Sequence, residues 1–113
     1  MGLDFSHCDA HWAYSGFMRF RRRLAEQIGF ALDEMEGFGG TRSFDEMVDD
    51  IKPLLDHSDC DGELTPEECK QVAPRLRELV SGWLDDDRDK IQALDLAEGM
   101  ELAAEEGEPL RFR

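Results

Sequence analysis

Residues 56–68, Asp56-His57-Ser58-Asp59-Cys60-Asp61-Gly62-Glu63-Leu64-Thr65-Pro66-Glu67-Glu68, crowd carboxylates, an imidazole and a thiol into one short stretch. Alternate acids, a glycine and a later glutamate are the pattern by which a twelve-residue loop wraps a calcium ion in oxygen ligands. With Gly62 at the sixth place, where a sharp turn favours a residue that tolerates positive φ, Asp59, Asp61 and Glu68 occupy places 3, 5 and 12. The Glu63 carbonyl then stands at place 7, and His57 at place 1. An imidazole there departs from the rule, because a hard ion seeks oxygen. The calcium set on this reading is His57, Asp59, Asp61, Glu63 and Glu68.

Two other chemistries fit the same residues. Cys8-x-x-His11 and His57-x-x-Cys60 together offer two thiolates and two imidazoles, a set that tetrahedral zinc accepts if the two halves meet in space. His57, Asp59 and Cys60 also comprise a base, an acid and a nucleophile, the centre of a metal-dependent enzyme as the rival function. A base and nucleophile so close on one tight turn rarely reach the mutual geometry catalysis needs, and no oxyanion site is legible around Cys60, so a non-enzymatic role is favoured. A purely structural turn is the remaining alternative: Asp59 and Asp61 accept backbone bonds while Gly62 supplies the geometry.

The elements that would position this turn are mainly helical. From Ser15, placed as N-cap, Phe17, Phe20, Leu24, Ile28 and Ala31 recur at helical spacing, with Arg19, Arg21, Arg22 and Arg23 on the outer side. Gly37, Gly39 and Gly40 form a connector. Ser43 and Glu46 are spaced as a capping box for a helix with the stripe Phe44, Met47, Val48, Ile51, Leu54 and Leu55, bent or restarted at Pro53. Thr65-Pro66-Glu67-Glu68 is a helix start: N-cap hydroxyl, proline in the first turn, glutamate reaching back. Its stripe is Cys69, Val72, Ala73, Leu76, Leu79, Val80 and Trp83, with a kink expected at Pro74. Asp85, Asp86 and Asp87 open a last helix carrying Ile91, Leu94, Ala97, Met100 and Ala104, which ends at Gly107. Residues 2–5 and 110–113 alternate apolar and polar and pair as two short strands, with Asp4 set beside Arg111 or Arg113. The expected fold is one domain over 1–113: four helices in a small bundle, tied by its paired termini.

The formal charge is −14 over 113 residues. Residues 1–31 hold four Arg against three acids, so the rest of the chain carries −15. Such a field repels nucleic acid and anionic membranes and attracts cations or basic protein surfaces. Three cysteines, no charged-then-apolar leader and no long apolar run point to a reducing cytoplasm.

The segments MGLDFSH, AYSGFMRFR, HSDCDGELTPE and LAAEEGEPLRF resemble a family of small uncharacterised proteins of actinobacteria and their bacteriophages. The resemblance spans both termini and the centre, and implies a host range rather than a mechanism. Relatives tend to finish in Phe-His, where this chain has Phe112-Arg113. The central loop by itself resembles half of an EF-hand, without the second loop that usually pairs with it. The functional expectation is an acidic protein-binding module, holding calcium, or less readily zinc, at the central turn. A phage origin also implies an inhibitor of a host or defence protein that presents Asp85, Asp86, Asp87 and Asp89 where nucleic-acid phosphates would lie.

Overall fold

The computed structural model describes residues 2–57 and 62–113. In chain order the elements are β1 (Gly2–Asp4), β2 (His11–Ala13), α1 (Tyr14–Gln27), α2 (Lys52–Leu55), β3 (Glu63–Leu64), α3 (Pro66–Val80), α4 (Arg88–Glu106) and β4 (Leu110–Arg111). Short 3-10 turns at Leu32–Glu34 and Phe44–Glu46 punctuate the stretch between α1 and α2. Four helices around one apolar core, with two small two-stranded sheets, are the mainly helical bundle that the periodicity predicts.

The termini do meet. Phe5 and Phe112 form an antiparallel bridge, Ser6 N–H donates to the Arg111 carbonyl (2.9 Å), and Arg113 N–H donates to the Asp4 carbonyl (2.8 Å). The two terminal segments also pair elsewhere: β1 with β2, in register Leu3 to Trp12, and β4 with β3, in register Leu110 to Leu64. The Asp4 carboxylate therefore binds His11 Nδ1 (2.8 Å) rather than an arginine. Phe5, Trp12, Phe17, Phe20 and Phe112 pack edge to face or stacked where the strands meet α1. Aromatic packing of this kind adds to area burial and fixes the strands on the bundle.

Local signals succeed where a residue's own chemistry sets the conformation. Thr65 Oγ1 accepts from Glu68 N–H (3.1 Å) and Glu68 Oε1 accepts from Thr65 N–H (2.9 Å), the reciprocal box the spelling predicts. Cys69, Val72, Ala73, Leu76, Leu79 and Val80 of α3 are all buried, and burial pushes the Cys69 thiol up to about 11. Asp87 caps α4, and Gly107 ends it in the left-handed region.

Five expectations are corrected. Ala13, not Ser15, is the N-cap of α1 and offers no side chain, because β2 runs straight into the helix. Residues 43–55 form no continuous helix: Ser43 Oγ accepts from Asp45 N–H, the turn stops at Glu46, and helix resumes only at Lys52 with Pro53 in its first turn. Val48, placed in the core by that stripe, is 93% exposed. Arg21, read on the outer side of α1, is 1% exposed. On α4, Ala97 and Met100 are buried as the stripe expects, but Ile91 faces out while Ala93, Leu96 and Ala103 face in, because α3 packs along a face rotated from that stripe.

Candidate functional site

The central turn is held from three sides. Gly62 has φ +93°, the left-handed conformation its place in the turn predicts. Leu64 is fully buried and β3 pairs with β4, so the C-terminal strand occupies the edge at which a second loop would pair. Across the turn His57 Nε2 lies 3.0 Å from the Glu63 carbonyl oxygen, and its ring stacks on Phe112. An imidazole N–H thus engages the same carbonyl that the calcium reading assigns to the ion. Glu68, the closing acid of that reading, spends Oε1 on the capping box. Asp59, Cys60 and Asp61 lie outside the described residues.

Arg21 fixes where this turn begins. Its Nη1 donates to the carbonyls of Leu54 (3.5 Å), Leu55 (3.4 Å) and His57 (2.6 Å), capping the C-terminal end of α2 from within the core. The guanidinium lies about 5 Å from the ring centres of Phe17 (4.9 Å) and Phe38 (5.0 Å).

The remaining zinc residues of the sequence reading have separate surroundings. His11 binds Asp4, His57 binds Glu63, and Cys8 packs on α4 at Gly99. A Cβ on Gly99 would stand 2.7 Å from that of Cys8, so only glycine lets the 6–10 segment lie this close to the helix. Burial raises the Cys8 thiol pKa, and Asp95, Asp9 and Glu98 add to the rise.

The carboxylates fall into two groups by what stands next to them. Arg23 takes Asp87 through two bonds (2.8 and 3.2 Å) and Asp89 through one (2.9 Å), while its guanidinium lies 3.7 Å over the Trp83 ring. Trp12 Nε1 donates to Asp89 (3.0 Å), and Lys90 Nζ binds Asp85 (2.8 Å). Asp87 is accordingly held below the usual carboxyl range by the Arg23 bond, and Asp85 by the Lys90 bond. Asp86 is exposed beside them. Of the acids first assigned to a partner, three are therefore bound by this chain's own cations. Asp49 is likewise held down by Arg75.

The second group lies on the outward face of α4. Ile91, Asp95, Glu98, Leu102 and Glu105 recur at intervals of four, three, four and three, one stripe of the helix. A cavity of about 320 Å³ is lined by Asp95, Glu98, Glu101, Leu102 and Glu105 together with His7 and Cys8. Burial raises the Asp95 carboxyl pKa, and the charges of Asp9 and Glu98 raise it further. Arg77 bonds Glu101 through both oxygens (2.6 and 2.9 Å), leaving Asp9, Asp95, Glu98 and Glu105 without a described ion pair. Leu102 is 41% exposed and Ile91 51% exposed on this same stripe. Sequence reasoning passed over these acids, although their helical spacing was visible; only the contact of the 7–9 segment with α4 shows that their charges are confined together.

Among the described residues, no helix is long and apolar enough to cross a membrane. Comparison with models of protein families, with curated proteins and with solved structures returns no match for this chain.

Proposed function

We propose that this chain is a non-enzymatic binding module that takes a basic protein surface on the outward face of α4. The observation that carries the reading is the placement of Asp95: it lines the cavity between α4 and the 7–9 segment beside Glu98 and Glu105, where burial first and then the charges of Asp9 and Glu98 raise its carboxyl pKa, whereas Asp49, Asp85 and Asp87 are each paired with a cation of the same chain. Arg77 stands against Glu101 and its charge reaches Glu98, which leaves the cluster still strongly negative; crowded negative charge costs the fold stability and is relieved by a cation brought from outside. Exposed Ile91 and Leu102 beside those acids give the partner apolar contact as well as charge. A surface bearing Lys or Arg with an aliphatic residue between them meets both demands.

The test uses the full chain and a short peptide of Lys, Arg and Leu, with a Glu-for-Lys peptide of equal length as control. The basic peptide is expected to bind, to weaken steeply as salt rises, and to weaken again in Glu98→Gln and in Asp95→Asn. Glu67→Gln, an exposed acid of α3, serves as the neutral control. Binding that is indifferent to salt, or equal in all three variants, would overturn the reading.

A further inference from the structure

Beyond the end of α4 a second constellation adjoins the binding face and shares His7 with its cavity. His7 Nε2 lies 2.9 Å from Glu108 Oε1 and 3.5 Å from Glu106 Oε1, and the three potential ligand atoms lie within 4.8 Å of one another. An ion about 2.1 Å from each ligand sets neighbouring ligand atoms about 3.0 Å apart in an octahedron and about 3.4 Å apart in a tetrahedron. The 2.9 Å separation is that of a direct hydrogen bond, so an ion would replace the proton between Nε2 and Oε1, and at 3.5 Å Glu106 lies within reach of the same ion. Residues a hundred positions apart have been brought to this spacing by the pairing of the termini.

The imidazole is also aimed. His7 has φ +68°, which turns its side chain back toward Glu106 and Glu108, and its ring is 14% exposed. Ser6 Oγ lies 2.7 Å from Nδ1 and accepts from Arg111 N–H (2.8 Å), so the ring is fixed from behind by a hydroxyl itself pinned to β4. A partner on one ring nitrogen that orients the other is how histidine ligands are ordinarily held.

We infer that His7, Glu106 and Glu108 form a site for a first-row divalent ion of the zinc class, with His7 Nε2 and one oxygen from each glutamate as ligands and water completing the shell. One imidazole and two carboxylates suit such an ion better than calcium, which prefers an all-oxygen shell of higher number. The ion would tie the 6–8 segment to the end of α4, adding a clamp to the terminal pairing.

The test is zinc titration of the chelator-stripped full chain, followed by calorimetry and by thermal unfolding. One equivalent is expected to bind, and saturating zinc is expected to raise the melting temperature by about 5 °C or more, with calcium giving a smaller rise. His7→Gln and Glu106→Gln are expected to abolish the rise. Glu106→Gln keeps the His7 to Glu108 bond and removes only an exposed carboxylate, so its metal-free melting temperature should stay close to that of the parent. Asp61→Ala, in the central turn, should leave zinc binding unchanged. No saturable binding, a rise that persists in Glu106→Gln, or a rise lost in Asp61→Ala would each overturn the site.

Discussion

The His57 imidazole lies on the Phe112 ring with 4.0 Å between ring centres and 28° between planes, joining the central turn to the penultimate residue. Behind that contact, Phe112 N–H donates to the Gly62 carbonyl (2.9 Å), and the Phe112 ring packs on Phe5 and Phe17. One side chain therefore holds the turn, the N-terminal strand segment and α1 together. Phe112→Ala is expected to cost about 3–5 kcal/mol, the usual loss for truncating a buried aromatic. Phe112→Leu should recover more than half. Urea unfolding measures both, and an unchanged midpoint in Phe112→Ala would refute the role.

Arg21 is the polar counterpart of that apolar joint. A guanidinium in the core is tolerable because the carbonyls at the end of α2 would otherwise be buried without a donor. Of its three carbonyl bonds among the described residues, the 2.6 Å bond to His57 is the shortest, and it sets the position from which the His57 ring reaches Phe112. Arg21→Met is expected to lose about 3 kcal/mol or more, since it strips the donor and leaves the acceptors behind. Arg21→Lys should rescue only part, because an ammonium lacks the planar fork. Full stability of either variant in urea would show that water replaces the donor.

These two residues also mark the boundary of what the chain spells out. Turn and cap chemistry is local, so Gly62, Gly107 and the Thr65 to Glu68 box were legible from spacing alone, as was the buried face of α3. The pairing of the termini followed from alternation at both ends. Arg21 was not legible, because four arginines within five positions read as a solvated face and nothing local says which one turns inward. The 43–55 stripe misled because Pro53 and the Asp49 turn break the backbone that its periodicity requires; Asp49 Oδ1 accepts from Ile51 N–H instead. The His7, Glu106 and Glu108 group depends on a tertiary meeting of the two ends, though the predicted terminal pairing already brings position 7 toward 108.

Asp49 and Arg75 give the fold an acid limit. Arg75 Nε and Nη2 donate to the two Asp49 oxygens (3.0 and 2.9 Å), Arg75 also bonds Glu78, and the Asp49 side chain is 16% exposed. The Arg75 bond holds the Asp49 carboxyl below its ordinary value. A carboxyl depressed in the folded state contributes stability that is present above its unfolded pKa and lost as pH falls through the folded one. Asp87, depressed by Arg23, acts in the same direction. Stability should therefore decline below about pH 4, and Asp49→Asn should flatten part of that decline while lowering stability at neutral pH by about 1–2 kcal/mol. Urea midpoints across the acid range decide it, and an unaltered slope in Asp49→Asn would remove this pair as the cause.

Asp95 has the opposite sign, and this separates a binding surface from a structural one. Burial first, then Asp9 and Glu98, raise its pKa in the folded chain. A carboxyl raised on folding favours the native state below its unfolded pKa, and that advantage is lost as pH rises through the folded pKa. At neutral pH the charged Asp95 is thus a net cost, and Asp95→Asn should raise the melting temperature there, with the gain vanishing once the parent carboxyl is protonated. The same substitution should weaken the basic peptide, because it removes the charge that the peptide relieves. A scaffold acid gives no reason for those two effects to appear together. Thermal unfolding and peptide titration of one variant therefore test the α4 face directly: a stabilised protein that still binds the peptide as tightly as the parent would place the partner elsewhere, and a destabilised one would make Asp95 part of the framework.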